Sequence, residues 1–269
     1  MKKPKRDYAI QTVTNALRVL DAFRGEDEIG VAELSRRLGL HKNNVFRLLA
    51  TLEEEGYVEQ SPTTERYRLG LRSLELGQAF ARNHTLSARA RPVLEALCRA
   101  TGESTHLGMM DGFEVVHVTG ATPERALVAA PRMGMRLPVH CTALGKVLLG
   151  CASDGQRELY DRAVVAGARL PSRTPRTIVD PDKFFEQIRT AAGRGLAADL
   201  DECEEGLCCA ASPLYDVSGQ VVAAISVSAP RSRCSEDRLL DAIGPQVMAA
   251  TESLSKELGH VVHSQELAG

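Results

Sequence analysis

The feature that most constrains this chain is the order of signals between residues 31 and 70. VAELSRRL at 31–38 has helical spacing, and Gly39 closes it. A second helix starts near His41, runs to Glu55 and is stopped by Gly56. YVEQ and RYRL then flank SPTTE, two short extended runs around a Pro-containing turn. Two short helices joined by a Gly turn and followed at once by a hairpin spell a helix-turn-helix with a wing. A further helical pattern at 8–24, carried by Ile10, Val13, Ala16, Leu17 and Leu20, supplies the helix that must pack behind them. The reading is an α+β protein that begins with a winged helix-turn-helix over 1–70.

The second helix has the right surface for DNA. Val45, Leu48, Leu49 and Leu52 recur at i, i+3, i+4 and i+7 and must face the core, which turns Asn44, Arg47 and Thr51 outward. A helix in the major groove reads bases mainly with its N-terminal residues. Lys42 and Arg47 can reach phosphate or guanine, and Asn43 and Asn44 can pair with adenine. Arg66 and Arg68 on the hairpin can touch phosphate. The acids Glu53, Glu54 and Glu55 fall at the far end. The expected DNA-binding set is Lys42, Asn43, Asn44, Arg47, Thr51, Arg66 and Arg68. The competing reading, for the asparagines and the two hairpin arginines, is an ordinary solvated face. Lys2, Lys3, Lys5 and Arg6 form a basic arm that either solubilises the chain or reaches a neighbouring groove.

LRSLELGQAFAR predicts a linker helix over 71–85, and from 86 to 260 the pattern changes. LSARARPVLEALCRATG is a helix ended by Gly102, and STHLGMMDGFEVVHVTG is a hairpin around Asp-Gly. ALVAAPRM reads as extended, and VHCTALGKVLLG as a loop entering a helix. DKFFEQIRTAAGR is helical, CCAASPLYD and QVVAAISVSAP pair across DVSGQ, and a last helix spans 235–258. Residues 261–269 read as a disordered tail. At about 100–200 residues per domain, 269 residues make two domains. The net charge is −2, split as +2 over residues 1–82 and −4 beyond, which suits a chain with one end facing nucleic acid. Seven cysteines at irregular spacing, the lack of an apolar leader and the lack of any run of about 18 apolar residues point to a protein of the reducing cytoplasm that spans no membrane.

GLHKNNVFRLLATLEEEGYV, YRLGLRSLELG, LPVHCTALGKVLLG and EEGLCCAASPLYDVSGQVVAAISVSAP, in that order, resemble the IclR family of bacterial transcriptional regulators over nearly the whole chain. The resemblance implies a GAF-like α/β effector-binding domain after the linker helix. It also implies a homodimer or dimer of dimers on double-stranded palindromic operator DNA, and a small-molecule effector, often a carboxylate. Carried over by position, it places Thr142, Ala143 and Gly145 on one rim of the effector site and Asp199, Leu207, Cys209, Ser226 and Ser228 around the ligand. The residues agree in part. Ser226 and Ser228 are two apart on a strand and share a face, and free amides at the start of the TALGK helix suit an anion. Asp199 would repel that anion unless it meets a ligand hydroxyl or amine, which hints at a hydroxylated effector. The plainer alternatives are a polar strand face for the serines and a small buried side chain for Cys209. Cys208-Cys209 and Cys141 depart from the commoner family pattern.

Three rivals remain. A metal- or redox-responsive regulator could use His140, Cys141, Cys203, Cys208 and Cys209, although no Cys-x-x-Cys pair occurs. An enzyme lacks a phosphate loop, a Ser elbow or a metal-hydrolase motif to work with, and no cofactor is called for. A dimerisation module would bind no ligand at all.

Overall fold

The computed structural model describes residues 9–83, 85–125, 128–129, 132–167 and 170–261. The basic arm and, apart from Val261, the tail lie outside the described residues. The chain divides into two compact units, Met1–Asn83 and His84–Gly269.

In the first unit α1 (Gln11–Asp21), α2 (Val31–Leu38) and α3 (Lys42–Glu54) close on a core of Val19, Phe23, Ile29, Leu34, Val45, Leu49 and Leu52. Gly39 takes a left-handed conformation (φ 66°) that lets the chain turn from α2 into α3. The wing is β1 (Val58–Gln60) paired antiparallel with β2 (Tyr67–Leu69), and Ile29 bridges to Tyr67 as a third extended segment. Val58 and Tyr67 bury their side chains under α3, so the wing is anchored by the same core as the helices. α4 (Leu71–Asn83) ends this unit.

The second unit is one six-stranded antiparallel sheet covered on both faces. Its strands are β3 (Ser104–Asp111), β4 (Glu114–Ala121), β5 (Arg136–Pro138), β6 (Ala197–Leu200), β7 (Leu207–Tyr215) and β8 (Val221–Pro230), in the order β5-β4-β3-β8-β7-β6. Period-two alternation sorts the side chains. Leu107, Cys208, Ala210, Ile225, Val227 and Ala229 face α5 (Thr85–Thr101) and α9 (Gly244–Glu257). Ala211 and Ala224 face α6 (Ala143–Gly150), α7 (Asp154–Val165) and α8 (Pro181–Arg194). No helix among the described residues is long and apolar enough to cross a membrane.

Some elements differ from the sequence reading. β5, β6 and α7 carry no clear periodic signal because they are short or strongly charged. The expected single helix over 235–258 is interrupted by a π-helical stretch, Arg238–Ile243, before α9 begins at Gly244. The described part of ALVAAPRM forms no strand, and residues 126, 127, 130 and 131 lie outside the described residues.

Candidate nucleic-acid interface and a polar cavity

On α3 the core stripe leaves Lys42, Asn43, Asn44, Arg47 and Thr51 exposed. The side chains of the first four make no hydrogen bond or ion pair with any described residue, so their donors and charges are available to a partner. Asn44, Arg47 and Thr51 also line a groove against Thr12 and Asn15 of α1. The wing arginines are differently placed. Arg66 donates to the Glu28 carbonyl at 3.0 Å and to Glu33 at 3.1 Å, while Arg68 pairs with its cross-strand neighbour Glu59 at 2.5 Å. Both remain about half exposed, but they must exchange partners to reach a phosphate. Glu53 is held away at the end of α3 by accepting from the Gln60 amide at 3.0 Å.

In the second unit, strand register builds a polar row across the sheet. Asp199 on β6 lies opposite Cys209 on β7, Cys209 opposite Ser228 on β8, and Ser228 opposite Ser104 on β3. One step along, Ser226 lies opposite His106. The first turn of α6 stands over this row. Thr142 caps it, accepting from the Gly145 amide at 3.1 Å and donating to the Pro138 carbonyl at 3.0 Å. Between row and helix lies a small cavity of about 20 Å³ lined by His117, Arg132, Leu137, Thr142, Ala143, Leu144, Asp199, Cys203, Leu207, Cys209, Ser226 and Ser228. Seven of the eight residues expected at an effector site thus line one cavity. Gly145 does not: it sits behind the wall, where a Cβ would fall 2.2 Å from the Val139 carbonyl oxygen. Two larger hollows along α8 and α7 are more open and contain neither the polar row nor Thr142, Ala143 or Leu144.

Five lining residues were not expected. His117 is the most telling, and its placement depends on a β-bulge. Register slips between Leu107 and Gly108, so that His117 rather than Val118 lies opposite Gly108, which turns the imidazole toward the cavity. Neither nitrogen of His117 has a partner, nor does His106 Nε2, and the two rings meet edge-on at 5.3 Å. Burial pushes His117 down to about 4 and His106 to about 3, with the Arg132 charge adding to both. Both imidazoles are therefore neutral at pH 7. Arg132, only 8% exposed, brings the one cation among the lining residues and pairs with Glu204 at the surface.

Asp199 faces the row from β6. Its Oδ1 accepts the amides of Glu202 at 2.8 Å and Cys203 at 3.3 Å, which fixes its orientation. Burial pushes its pKa up to about 7, against the hydrogen bond from the Glu202 amide, which lowers it; the Glu202 and Cys203 charges raise it and the Lys146 charge lowers it slightly. Cys209 and Ser228 touch at 3.1 Å. Behind α6, the buried Lys146 ammonium pairs with Glu202 and donates to the Ala198 carbonyl at 3.1 Å. The metal-responsive rival finds no support. His140 is bonded to the Pro171 carbonyl, Cys208 contacts Arg231 across the sheet, and no group of three or more His, Cys, Asp or Glu among the described residues is arranged around a metal position.

A winged helix-turn-helix with unengaged polar side chains on its second helix, carried in one chain with a helix-covered sheet, defines a DNA-binding transcriptional regulator. Residues 12–62 match the IclR helix-turn-helix domain and residues 78–256 match the bacterial transcriptional regulator IclR C-terminal family. The chain is 34% identical over 252 residues to the HTH-type transcriptional regulator XynR of Escherichia coli (strain K12), covering 93% of this chain and 98% of that protein. It is 33% identical over 257 residues to the glycerol operon regulatory protein of Streptomyces coelicolor, covering 93% and 97% respectively. Among solved structures, an IclR transcriptional regulator from Silicibacter sp. TM1040 superposes with a TM-score of 0.78 at 31% identity, over 93% of this chain and 97% of that one. The chain belongs to the IclR family.

Proposed function

We propose that this regulator acts on a catabolic operon, as repressor or activator in the cytoplasm, and is controlled by a small hydroxylated carboxylate bound in the cavity beneath α6. The glycerol-operon relative supports the catabolic assignment. The observation that carries the effector reading is the cavity's lining, which gathers a cation, a high-pKa carboxylate, two serines and an imidazole with no partner among the described residues. Buried polar groups left unpaired are costly, and a ligand that pairs them recovers that cost. Arg132 and the amides of Ala143 and Leu144 at the start of α6 suit the carboxylate. Asp199, Ser226 and Ser228 suit hydroxyls, and Leu137, Leu144 and Leu207 pack the carbon chain. Gly145 supports the rim from behind.

DNA is read by a homodimer, or a dimer of dimers, through Lys42, Asn43, Asn44 and Arg47, with Thr51, Arg66 and Arg68 as flanking contacts. Effector binding repositions the two reading units of the dimer through the linker helix at 71–85. Linkage then requires operator DNA to change effector affinity by the factor by which effector changes operator affinity. The test has two arms. Thermal shift against a panel of small hydroxy-carboxylates should find stabilisers, and a panel with none favours a module that binds no ligand. Titrating a hit with and without DNA selected by the protein should give equal and reciprocal factors, and unchanged affinity removes the coupling.

A further inference from the structure

The outer face of α3 carries one side chain that polar recognition leaves unexplained. Phe46 is 53% exposed while its neighbours Val45 and Leu49 are fully buried. At about 100° per residue, Asn43, Arg47 and Ala50 centre the outward surface of α3, and Phe46 lies on its flank with Glu53, whose carboxylate holds the wing strand β1. Phe46 and Ala50 are one turn apart and both exposed, so they make an apolar strip beside Asn43 and Arg47. Phe46 lies in the N-terminal half of the helix, the half that meets base edges in a major groove. The apolar feature that B-DNA offers there is the C5-methyl group of thymine.

We propose that Phe46 is a sequence-reading residue that packs on thymine methyls in each half-site, beside adenines paired by Asn43. The proposal rests on α3 being the reading helix and adds to it a base preference. An adenine-thymine step presents Asn43 with the N6/N7 edge and Phe46 with a methyl from the same or the adjacent base pair. Arg47, on the other side of Asn43, has donors for a guanine or phosphate. A polar face alone would read either kind of step, so the aromatic ring biases the site toward thymine.

The test uses the full chain and duplexes that it enriches from a random library. Wild type, Phe46→Ala and Arg47→Ala are compared by fluorescence anisotropy on the enriched duplex. The same duplex is then made with single thymines replaced by deoxyuridine, which removes only the methyl. The expected result is an invariant thymine in each half-site, with about five- to tenfold weaker binding for wild type on the deoxyuridine duplex and for Phe46→Ala on the thymine duplex. Phe46→Ala should lose less than about twofold further on deoxyuridine, because the two changes remove one contact. Phe46 is exposed, so its removal leaves the core intact, and an unchanged melting temperature checks this. Wild type indifferent to every deoxyuridine replacement, or a variant as sensitive as wild type, overturns the proposal. Loss of binding in Arg47→Ala alone rejects Phe46 and keeps α3 as the reader. Normal binding by both variants, or a library with no enriched motif, rejects α3 as the reader and the proposal with it. Dissociation of the oligomer by Phe46→Ala, with DNA affinity per dimer unchanged, assigns Phe46 to a protein contact instead.

Discussion

Asp199→Asn should make the protein more stable at pH 8 and leave it nearly unchanged at pH 4. The carboxyl moves from an ordinary 3.8 to about 7 on folding, chiefly through burial. Three units at about 1.4 kcal/mol each come to about 4 kcal/mol. Because the folded pKa is raised, the folded state binds more protons than the unfolded one between pH 4 and 7, so stability falls as pH rises across that window and stays low above it. Below pH 4 the group is protonated in both states and contributes nothing. Asparagine is neutral throughout, and its Oδ1 can still accept the amides of Glu202 and Cys203, which meet Asp199 at 2.8 and 3.3 Å. The stabilisation should therefore emerge as pH climbs from 4 to 7 and reach at most about 4 kcal/mol. For a unit of this size that is a rise of about 5–15 °C in melting temperature at pH 8. Scanning calorimetry of wild type and variant at pH 4, 6 and 8 measures it. A difference between them that is the same at all three pH values would show that Asp199 does not titrate in this window, and a variant less stable at pH 8 would reverse the sign of the argument.

Gly145→Ala should cost about 2–3 kcal/mol or more, because its Cβ would sit 2.2 and 2.4 Å from the Val139 carbonyl oxygen and Cα and the first turn of α6 must retreat; the melting temperature and the lost response to the carboxylate panel report it. Glu202→Ala should cost about 3–5 kcal/mol by leaving the Lys146 ammonium buried without an anion. Adding Lys146→Met should restore most of that loss in denaturant unfolding, and a double variant no better than Glu202→Ala would refute the pairing.

These effects show why the cavity beneath α6 is poorly legible in sequence. The row Asp199, Cys209, Ser228 and Ser104 is drawn from four strands separated by up to 124 positions, and only hydrogen-bond register aligns them. Family motifs carried Leu207, Cys209, Ser226 and Ser228 to the neighbourhood, since each lies within a recognisable stretch, while Asp199 was carried by position from just ahead of the last one. They could not supply His117, whose orientation depends on one extra residue in β4, nor Arg132, which lies in an irregular segment between strands. Gly145 was readable as part of the TALGK motif, but the motif does not say that this glycine serves close packing while Ala143 and Leu144 meet the cavity.

The first unit is the opposite case. Helix period, the glycine stops and the two short wing strands are local properties, and the core stripe Val45, Leu49 and Leu52 follows from 3.6 residues per turn. The sequence by itself therefore determined the helix-turn-helix, its outward face and the hairpin behind it, because each is settled by residues within one or two turns. Tertiary structure alone decided which outward side chains stay unengaged: Lys42, Asn43, Asn44 and Arg47 have no partner among the described residues, while Arg66 and Arg68 are held by Glu33 and Glu59. It alone also decided that His117 and a buried arginine share the cavity with Asp199, because contacts across a sheet depend on strand order, a bulge and the fit of α6, which local periodicity does not encode.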